Sequence, residues 1–333
     1  MVDLQRHEAL VRAHHAALVA SAPGAAREAL GPRCREDMAR SGMRPWGESR
    51  GLDALASGVW EPLRASLRPL RRRPDAFFAG AADTHGRPGD RVVEVGHPPG
   101  PHDGPWLGIP PARKAAFLRR AESSRVEGER VAEQALSPDI GLLMAQAGVS
   151  PYARHAGALV PTPGPRTHDG LLWDGQDPAE GAATLALIDR MIARLAGEGV
   201  RTARRGLALD WAEDMPWWGP PGHRGEPHPG PLPRAAPRAL EAGLGFVRHD
   251  AHDTRVAEGS DGGFVGYPSL IMRPAGGCMG ATTASERAFE TRIVDACSRE
   301  GDLPAGDWVF VDHLHVPHRL GLDVLGRLRA TSA

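Results

Sequence analysis

Two stretches of the chain carry apolar residues at helical spacing. The first opens at Asp3 and runs through Leu10, Val11, Leu18 and Val19; the second opens at Asp177 and runs through Leu185, Leu187, Ile188, Met191, Ile192 and Leu195. Asp177, with Pro178 in the first helical position and Glu180 three residues on, has the pattern of an N-cap with a capping box. Alternating β-type segments follow. In the second half they fall over 245–258, 263–272, 288–297 and 307–316, the last three separated by short Gly-rich turns, as in an antiparallel meander. Helices first and strands afterwards predict an α+β fold, helices packed on a curved antiparallel sheet.

The same order occurs twice. Glu122 and Asp295, Arg119 and Arg292, and Asp139 and Asp312 are each separated by 173 positions, and Leu107-Gly108 matches Met279-Gly280 at 172. Met43-Arg44-Pro45-Trp46-Gly47 resembles Met215-Pro216-Trp217-Trp218-Gly219, also near 172. An almost constant offset over most of each half reads as duplication. The expected organisation is one domain over 1–152, a Pro/Gly-rich linker over 153–175, and a second copy over 176–333.

Composition narrows the function. A net charge of −1 and a pI near 7.0 give no electrostatic drive toward nucleic acid or an anionic membrane surface. No run approaches the eighteen apolar residues of a membrane span, and Met1-Val2-Asp3-Leu4 lacks the basic-then-apolar start of a secretory leader. Cys34, Cys278 and Cys297 are too few and too scattered for a disulfide scaffold or a zinc cage. A cytoplasmic protein with a small-molecule partner is expected. Arg71, Arg72 and Arg73 form the one dense basic run and read as a solvated helix face.

Asp139 to Val149 (DIGLLMAQAGV) and Asp312 to Leu322 (DHLHVPHRLGL), each ending a run of strands, resemble the closing motif of the SnoaL-like polyketide cyclases, or ester cyclases, of the nuclear transport factor two-like superfamily. Trp106-Leu107-Gly108-Ile109-Pro110-Pro111 resembles that family's loop before the strand. The resemblance implies two tandem cone-shaped α+β domains, packed as an internal pseudo-dimer or paired further as a homodimer. It also implies an aldol-type cyclisation, or a related lyase or isomerase reaction, without metal or organic cofactor. The family's acid/base aspartate would be Asp312, with Asp139 its equivalent in the first copy. The histidine that the family places on the preceding strand is replaced by residues near Arg125 and Ser298.

Strand parity extends this assignment. Trp308, Phe310 and Asp312 share one face if 307–316 is a strand. A carboxyl group beside two aromatics has a raised pKa and suits proton transfer next to a carbonyl. Asp295 shares a face with Ile293 and Cys297, and Glu122 is its first-copy counterpart; a second carboxylate can divide the acid and base roles or pair with Arg292 or Arg299. The resemblance also places His228 where the family's helical segment often carries a histidine, able to bond a substrate carbonyl; Trp217, Trp218 and the first-copy Trp46 are candidate pocket walls, and Tyr267 is a candidate oxyanion donor. The aromatic face directs the catalytic assignment to the second copy. Two alternatives stay open: a binding or scaffold protein without chemistry, and a metal enzyme using His223, His228, His249, His252, His313, His315 and His318.

Overall fold

The structure is a computed structural model describing residues 2–84, 87–150, 163–165, 167–193, 211–212, 215–219, 244–249, 254–265, 270–274 and 288–332. The first half begins with α1 (Val2–Ala20) and α2 (Ala26–Leu30), followed by β1 (Cys34–Gly42) and β2 (Gly47–Arg50). A helical run then joins α3 (Leu52–Leu55), a π turn (Ala56–Trp60) and α4 (Glu61–Ser66). β3 (Pro74–Thr84), β4 (Arg87–Gly96), β5 (Pro99–Pro101), β6 (Ala115–Phe117), β7 (Arg120–Glu127), β8 (Arg130–Pro138) and α5 (Ile140–Gln146) complete it. Six strands form one sheet in the order β2-β1-β8-β7-β4-β3, antiparallel except where β1 runs parallel to β8. This is the α+β arrangement that the chain pattern predicts.

The sheet wraps round the helices. Val11 and Leu18 of α1, Leu55, Trp60 and Leu63 of the second helical run, and Phe77, Val92 and Val131 of the sheet form one core. On α1 the buried stripe is Glu8, Val11, His15 and Leu18, positions three and four apart on one face, with His14 beside them. Three polar groups thus occupy an otherwise apolar stripe, while Val19, expected to be inside, is 42% exposed.

The opposite face of the sheet is equally apolar. Ala76 and Phe78 alternate with Phe77 and Ala79 along β3, and Val93 and Val95 continue the outer row on β4. The second half covers this face. After a helix over 178–193 come β9 (Trp217–Trp218), β10 (Leu244–His249), β11 (Arg255–Glu258), β12 (Asp261–Phe264), β13 (Leu270–Pro274), β14 (Phe289–Thr291), β15 (Ile293–Glu300) and β16 (Leu303–Val311). Short helices His315–Arg319 and Val324–Ser332 close the chain. Val294, Ala296, Trp308, Phe310 and Trp218 pack on Phe78, Val93 and Val95, sheet against sheet. Gly80 permits the approach, since a Cβ there would stand 2.9 Å from the Ala257 carbonyl oxygen.

The five-stranded sheet runs β11-β12-β15-β16-β9, with β9 parallel to β16. The β15–β16 hairpin repeats the register of β7–β8 with every number raised by 173: Glu122↔Leu136 becomes Asp295↔Val309, and Ser124↔Gln134 becomes Cys297↔Asp307. Contacts across the join are reciprocal. Arg119 donates to the carbonyls of Gly219 (2.8 Å) and Val309, and Arg292 donates to that of Gly42. Arg292 is therefore a tie between the halves.

Several expectations need correction. The segment 245–258 is two strands in different sheets, and 288–297 breaks at Arg292 into β14 and β15. The last strand ends at Val311; Asp312 turns the chain and 315–319 is helical, so His313 and His315 do not share a strand face. Asp177 caps its helix through Oδ1, which accepts from Ala179 N at 2.9 Å, but Glu180 pairs with Arg299 instead of closing a capping box. Trp46 stands in the turn after β1, whereas Trp217 pairs with Asp307 much as Arg40 of β1 pairs with Gln134, so the two Trp-Gly motifs are not equivalent. Residues 170–172 of the expected linker lie along β3: Phe77 N donates to Gly170 O and Leu172 N to Phe77 O. Among the described residues no helix is long and apolar enough to cross a membrane.

Two measurements check this packing. Phe310 is buried between the sheets, so Phe310→Ala should cost about 3–5 kcal/mol in urea unfolding; a loss below about 1 kcal/mol would contradict the interface. Asp261 is 1% exposed, and burial, with Asp169 and Glu258, pushes its carboxyl up to about 7. A folded-state pKa above the unfolded one removes stability as pH rises through that window. Asp261→Asn should therefore gain over the native chain by a margin about 3 °C or more larger at pH 8 than at pH 5. A margin independent of pH would place this carboxyl in water.

Candidate active site

Strand parity inside the first-half cone sets side chains of three neighbouring strands together. Glu94 of β4 stands opposite Glu122 of β7, and Gln134 of β8 lies diagonally from Glu122 on the same face. Arg120, two residues before Glu122, shares that face. α1 adds His14 and His15 from above, and the segment between α4 and β3 adds Arg72. All are buried or nearly so: Glu122 is 2% exposed, His15 4% and Arg120 3%.

The groups form one hydrogen-bonded network. His15 Nε2 lies 2.6 Å from Glu122 Oε1, and its Nδ1 lies 2.8 Å from Arg72 Nη2 and 3.1 Å from Glu94 Oε2. Arg72 donates to Glu94 at 2.6 Å and reaches Glu122 at 3.5 Å; Arg120 donates to Glu94 at 2.7 Å and also to Glu122. Gln134 donates to Glu122 at 2.7 Å. Burial draws the Glu94 carboxyl up, but Arg72, His15 and Arg120 hold it well below the usual carboxylate range. Burial, then Arg72, pushes His15 down to about 3, and burial, then Arg72, brings Arg120 down to about 9.

Charge counting gives the same protonation for His15. Two guanidiniums balance two carboxylates, so a third cation would leave a net positive charge in a buried site. A neutral imidazole has one donor and one acceptor. Arg72 can only donate, so Nδ1 accepts from it and Nε2–H donates to Glu122. His14, His15 and Glu122 also offer three metal-ligand atoms within 4.8 Å of one another. A dication there would add two charges to a set already neutral, beside two guanidiniums, so the trio fits a hydrogen-bonded relay better than a metal centre.

A small cleft of about 10 Å³ lies beside this network; Trp60, Arg64, Arg72 and Arg120 form its polar wall, and His15 and Glu122 lie behind that wall. Of this network only Glu122 is among the candidate site residues that the sequence indicates. Arg72, expected on a solvated helix face, lies in a non-helical segment and is buried against Glu94. Two signals were present in the sequence: His15 and Glu8 lie on the Val11–Leu18 stripe of the first helix, and Glu94 interrupts the apolar run Val92-Val93-Glu94-Val95.

Among the described residues, those predicted for the second half are placed as follows. Asp312 is 2% exposed, but both its oxygens accept backbone N–H groups, Oδ2 from Arg44 at 2.9 Å and Oδ1 from His315 at 3.1 Å. It caps the turn into the helix over 315–319 and ties the halves together. Asp139 caps α5 in the same way, accepting from Leu142 N at 3.0 Å, with burial pushing its carboxyl up to about 6. Trp308, Phe310 and Trp218 belong to the join between sheets. Trp46 donates to Gly58 O at 3.1 Å and packs against Trp106, away from the cleft. His228 and Tyr267 lie outside the described residues.

Asp295 has a different neighbour from the one expected. It shares the helix-facing side of the second sheet with Asp307, diagonally across β15 and β16, and the two carboxyl groups hydrogen-bond. Burial pushes Asp295 up to about 6; burial, then Asp295, holds Asp307 well above the carboxylate range, and Trp217 also bonds Asp307. Asp295 and Asp307 occupy the hairpin positions that Glu122 and Gln134 occupy in the first half. The helix over 178–193 closes down on this face, where a Cβ on Gly262 would stand 2.8 Å from Ile188 Cδ1.

No family model matches the sequence, and no curated protein matches it. Solved structures do. A candidate SnoaL-like polyketide cyclase from Jannaschia sp. CCS1 is 17% identical over 43% of this chain and 91% of its own, with a TM-score of 0.35. A candidate polyketide cyclase from Streptomyces antibioticus is 20% identical over 42% of this chain and 96% of its own, at 0.32. An NTF2-like protein from Burkholderia thailandensis E264 is 21% identical over 44% of this chain and 97% of its own, also at 0.32. Each of these likenesses spans less than half of this chain.

Proposed function

We propose that the first-half cone carries out cofactor-independent acid–base chemistry on a small carbonyl compound, as an aldol-type cyclase or a related lyase or isomerase. The proton-moving role that the sequence assigns to Asp312 passes to His15 and Glu122. The supporting observation is the 2.6 Å contact between His15 and Glu122 in a charge-balanced, buried network beside a small cleft. In the proposed step the substrate carbonyl oxygen takes over the Arg72 N–H that His15 Nδ1 accepts, and the freed Nδ1 lone pair takes a proton from the carbon next to that carbonyl. The C–H electron pair moves to the carbonyl oxygen as an enolate, which the guanidiniums of Arg72 and Arg120 stabilise. Glu122 keeps the Nε2 proton and stabilises the imidazolium that forms. The enolate carbon then adds to a second carbonyl, and the proton on Nδ1 returns to the new alkoxide. The repeated hairpin register and the reciprocal arginine ties support reading the chain as two fused copies packed as an internal pseudo-dimer, with the first copy the active one.

Hydrogen–deuterium exchange tests this proposal. The native protein in D₂O should exchange α-protons of members of a panel of small 1,3-diketones and β-keto esters, followed by NMR. His15→Gln and Glu122→Gln should each slow exchange by about 10²–10⁴-fold, while Asp312→Asn, with its effect on stability measured separately, should exchange at the native rate. Exchange unchanged in both cone variants removes the assignment. Absence of exchange for every compound, with ligands still bound, favours a binding protein without chemistry.

A further inference from the structure

Two carboxyl groups meet where the halves join. Glu8 of α1 is buried, and its carboxyl hydrogen-bonds that of Glu258, the last residue of β11 and also buried. Among the described residues no N–H or hydroxyl group donates to either Glu8 oxygen. Glu258 has a second partner, since its Oε2 accepts Ala79 N at 2.8 Å. Ala79 lies on β3, the last strand of the first sheet. Residues 170–172 cover that edge at Phe77, and the Glu258 carboxylate takes the next outward N–H, two residues on. Carboxyl groups in contact resist ionising together, and the bond between them needs a proton. Glu258 already accepts an N–H and is the better anion, so Glu8 is the donor. Burial, then the charge of Glu258, pushes the Glu8 carboxyl up to about 8.

The charged groups around the pair do not replace that proton. On α1, Arg12 opposes the rise, but its guanidinium stacks 4.8 Å from the Trp173 ring centre, and His7 bonds Asp90. Asp261, across the β11–β12 turn, feels the charges of Asp169 and Glu258. The helix over 178–193 presents Glu180 and Asp189 to this region, and Arg299 and Arg255 pair with them. We propose that the Glu8–Glu258 pair is a proton-operated latch: protonated, it holds the β11–β12 turn on α1 and on the edge of β3, and deprotonated, it lets that contact open. Without the proton, two buried carboxylates face each other, and Glu258 leaves Ala79 N as it withdraws. Glu8 and His15 share the buried stripe of α1, about two turns apart, so the latch grips the helix that carries the cone network. A folded-state value raised above that of an unfolded glutamate makes the contact firmest below about pH 4.5 and weakens it as pH rises through about 8.

Amide hydrogen exchange of the full chain between pH 5.5 and 8.5, read by NMR and corrected for the intrinsic pH dependence of exchange, tests the latch. Opening that releases one proton grows by up to about tenfold per pH unit, so protection of the Ala79 amide should fall by about tenfold or more across the range. Val93, held mid-sheet between β3 and β7, should stay better protected than Ala79 throughout, because the latch opens without the sheet. Glu8→Gln keeps a donor to Glu258 and removes the charge, so its fall at Ala79 should be smaller than the native one by about tenfold or more. Asp261→Asn removes the neighbouring titration and should retain a fall of about tenfold or more; this variant decides the matter if Glu8→Gln does not fold. Native protection independent of pH, equal protection of Ala79 and Val93, an undiminished fall in Glu8→Gln, or a fall abolished in Asp261→Asn would each overturn the proposal.

Discussion

The constraint on which the first-half cone depends is charge balance around His15. Two glutamates and two arginines lie within one hydrogen-bonded network, inside a core otherwise made of Val11, Leu18, Trp60 and Phe77. None of the four could stay there alone, because an isolated buried charge costs far more than packing returns. Each needs the others at hydrogen-bond distance, and they come from β4, β7 and the segment before β3. The network therefore fixes how the helices lie on the sheet as well as the protonation of the imidazole between them. Burial and the guanidiniums keep that imidazole neutral.

The second constraint acts on the other face of the same sheet. A sheet with Phe77 inside and Phe78 outside cannot present one face to water. The second half supplies the cover, and the exchange between Arg119 and Arg292 makes the cover reciprocal. The same hairpin register gives the halves different chemistry: Glu122 with Gln134 in one, Asp295 with Asp307 in the other. In the second, two like carboxyl groups meet, and burial together with their mutual repulsion favours a shared proton. The two hairpins thus share a register and differ in what they hold.

The architecture was more legible in the sequence than the site. Helix spacing and the 173-residue offset follow from residue patterns, and the register of the two hairpins carries that offset pair by pair. Parity along 307–316 correctly put Trp308 and Phe310 on one face. It could not say whether that face looked into a cone or onto another sheet, because both environments are apolar. Asp312 has the carboxyl-beside-aromatics pattern of an acid catalyst and also sits where a cap belongs; only the positions of Arg44 N and His315 N decide. Arg72 read as solvated since local sequence holds no sign of Glu94 and Glu122, which lie 22 and 50 positions away. Polar residues on the apolar stripe of α1, and Glu94 within the apolar run of β4, were the local signs of the network.

The protonation of His15 tests this account most directly. Nitrogen-15 spectra of histidine-labelled protein, with the His15 signals assigned by their loss in His15→Gln, follow both ring nitrogens through a pH titration. A charge-balanced site predicts a neutral ring carrying its proton on Nε2, with no titration between pH 8 and about 5. A midpoint near the ordinary histidine value, or a ring charged at pH 7, would mean that the guanidiniums do not balance the carboxylates and that His15 has no free lone pair for chemistry.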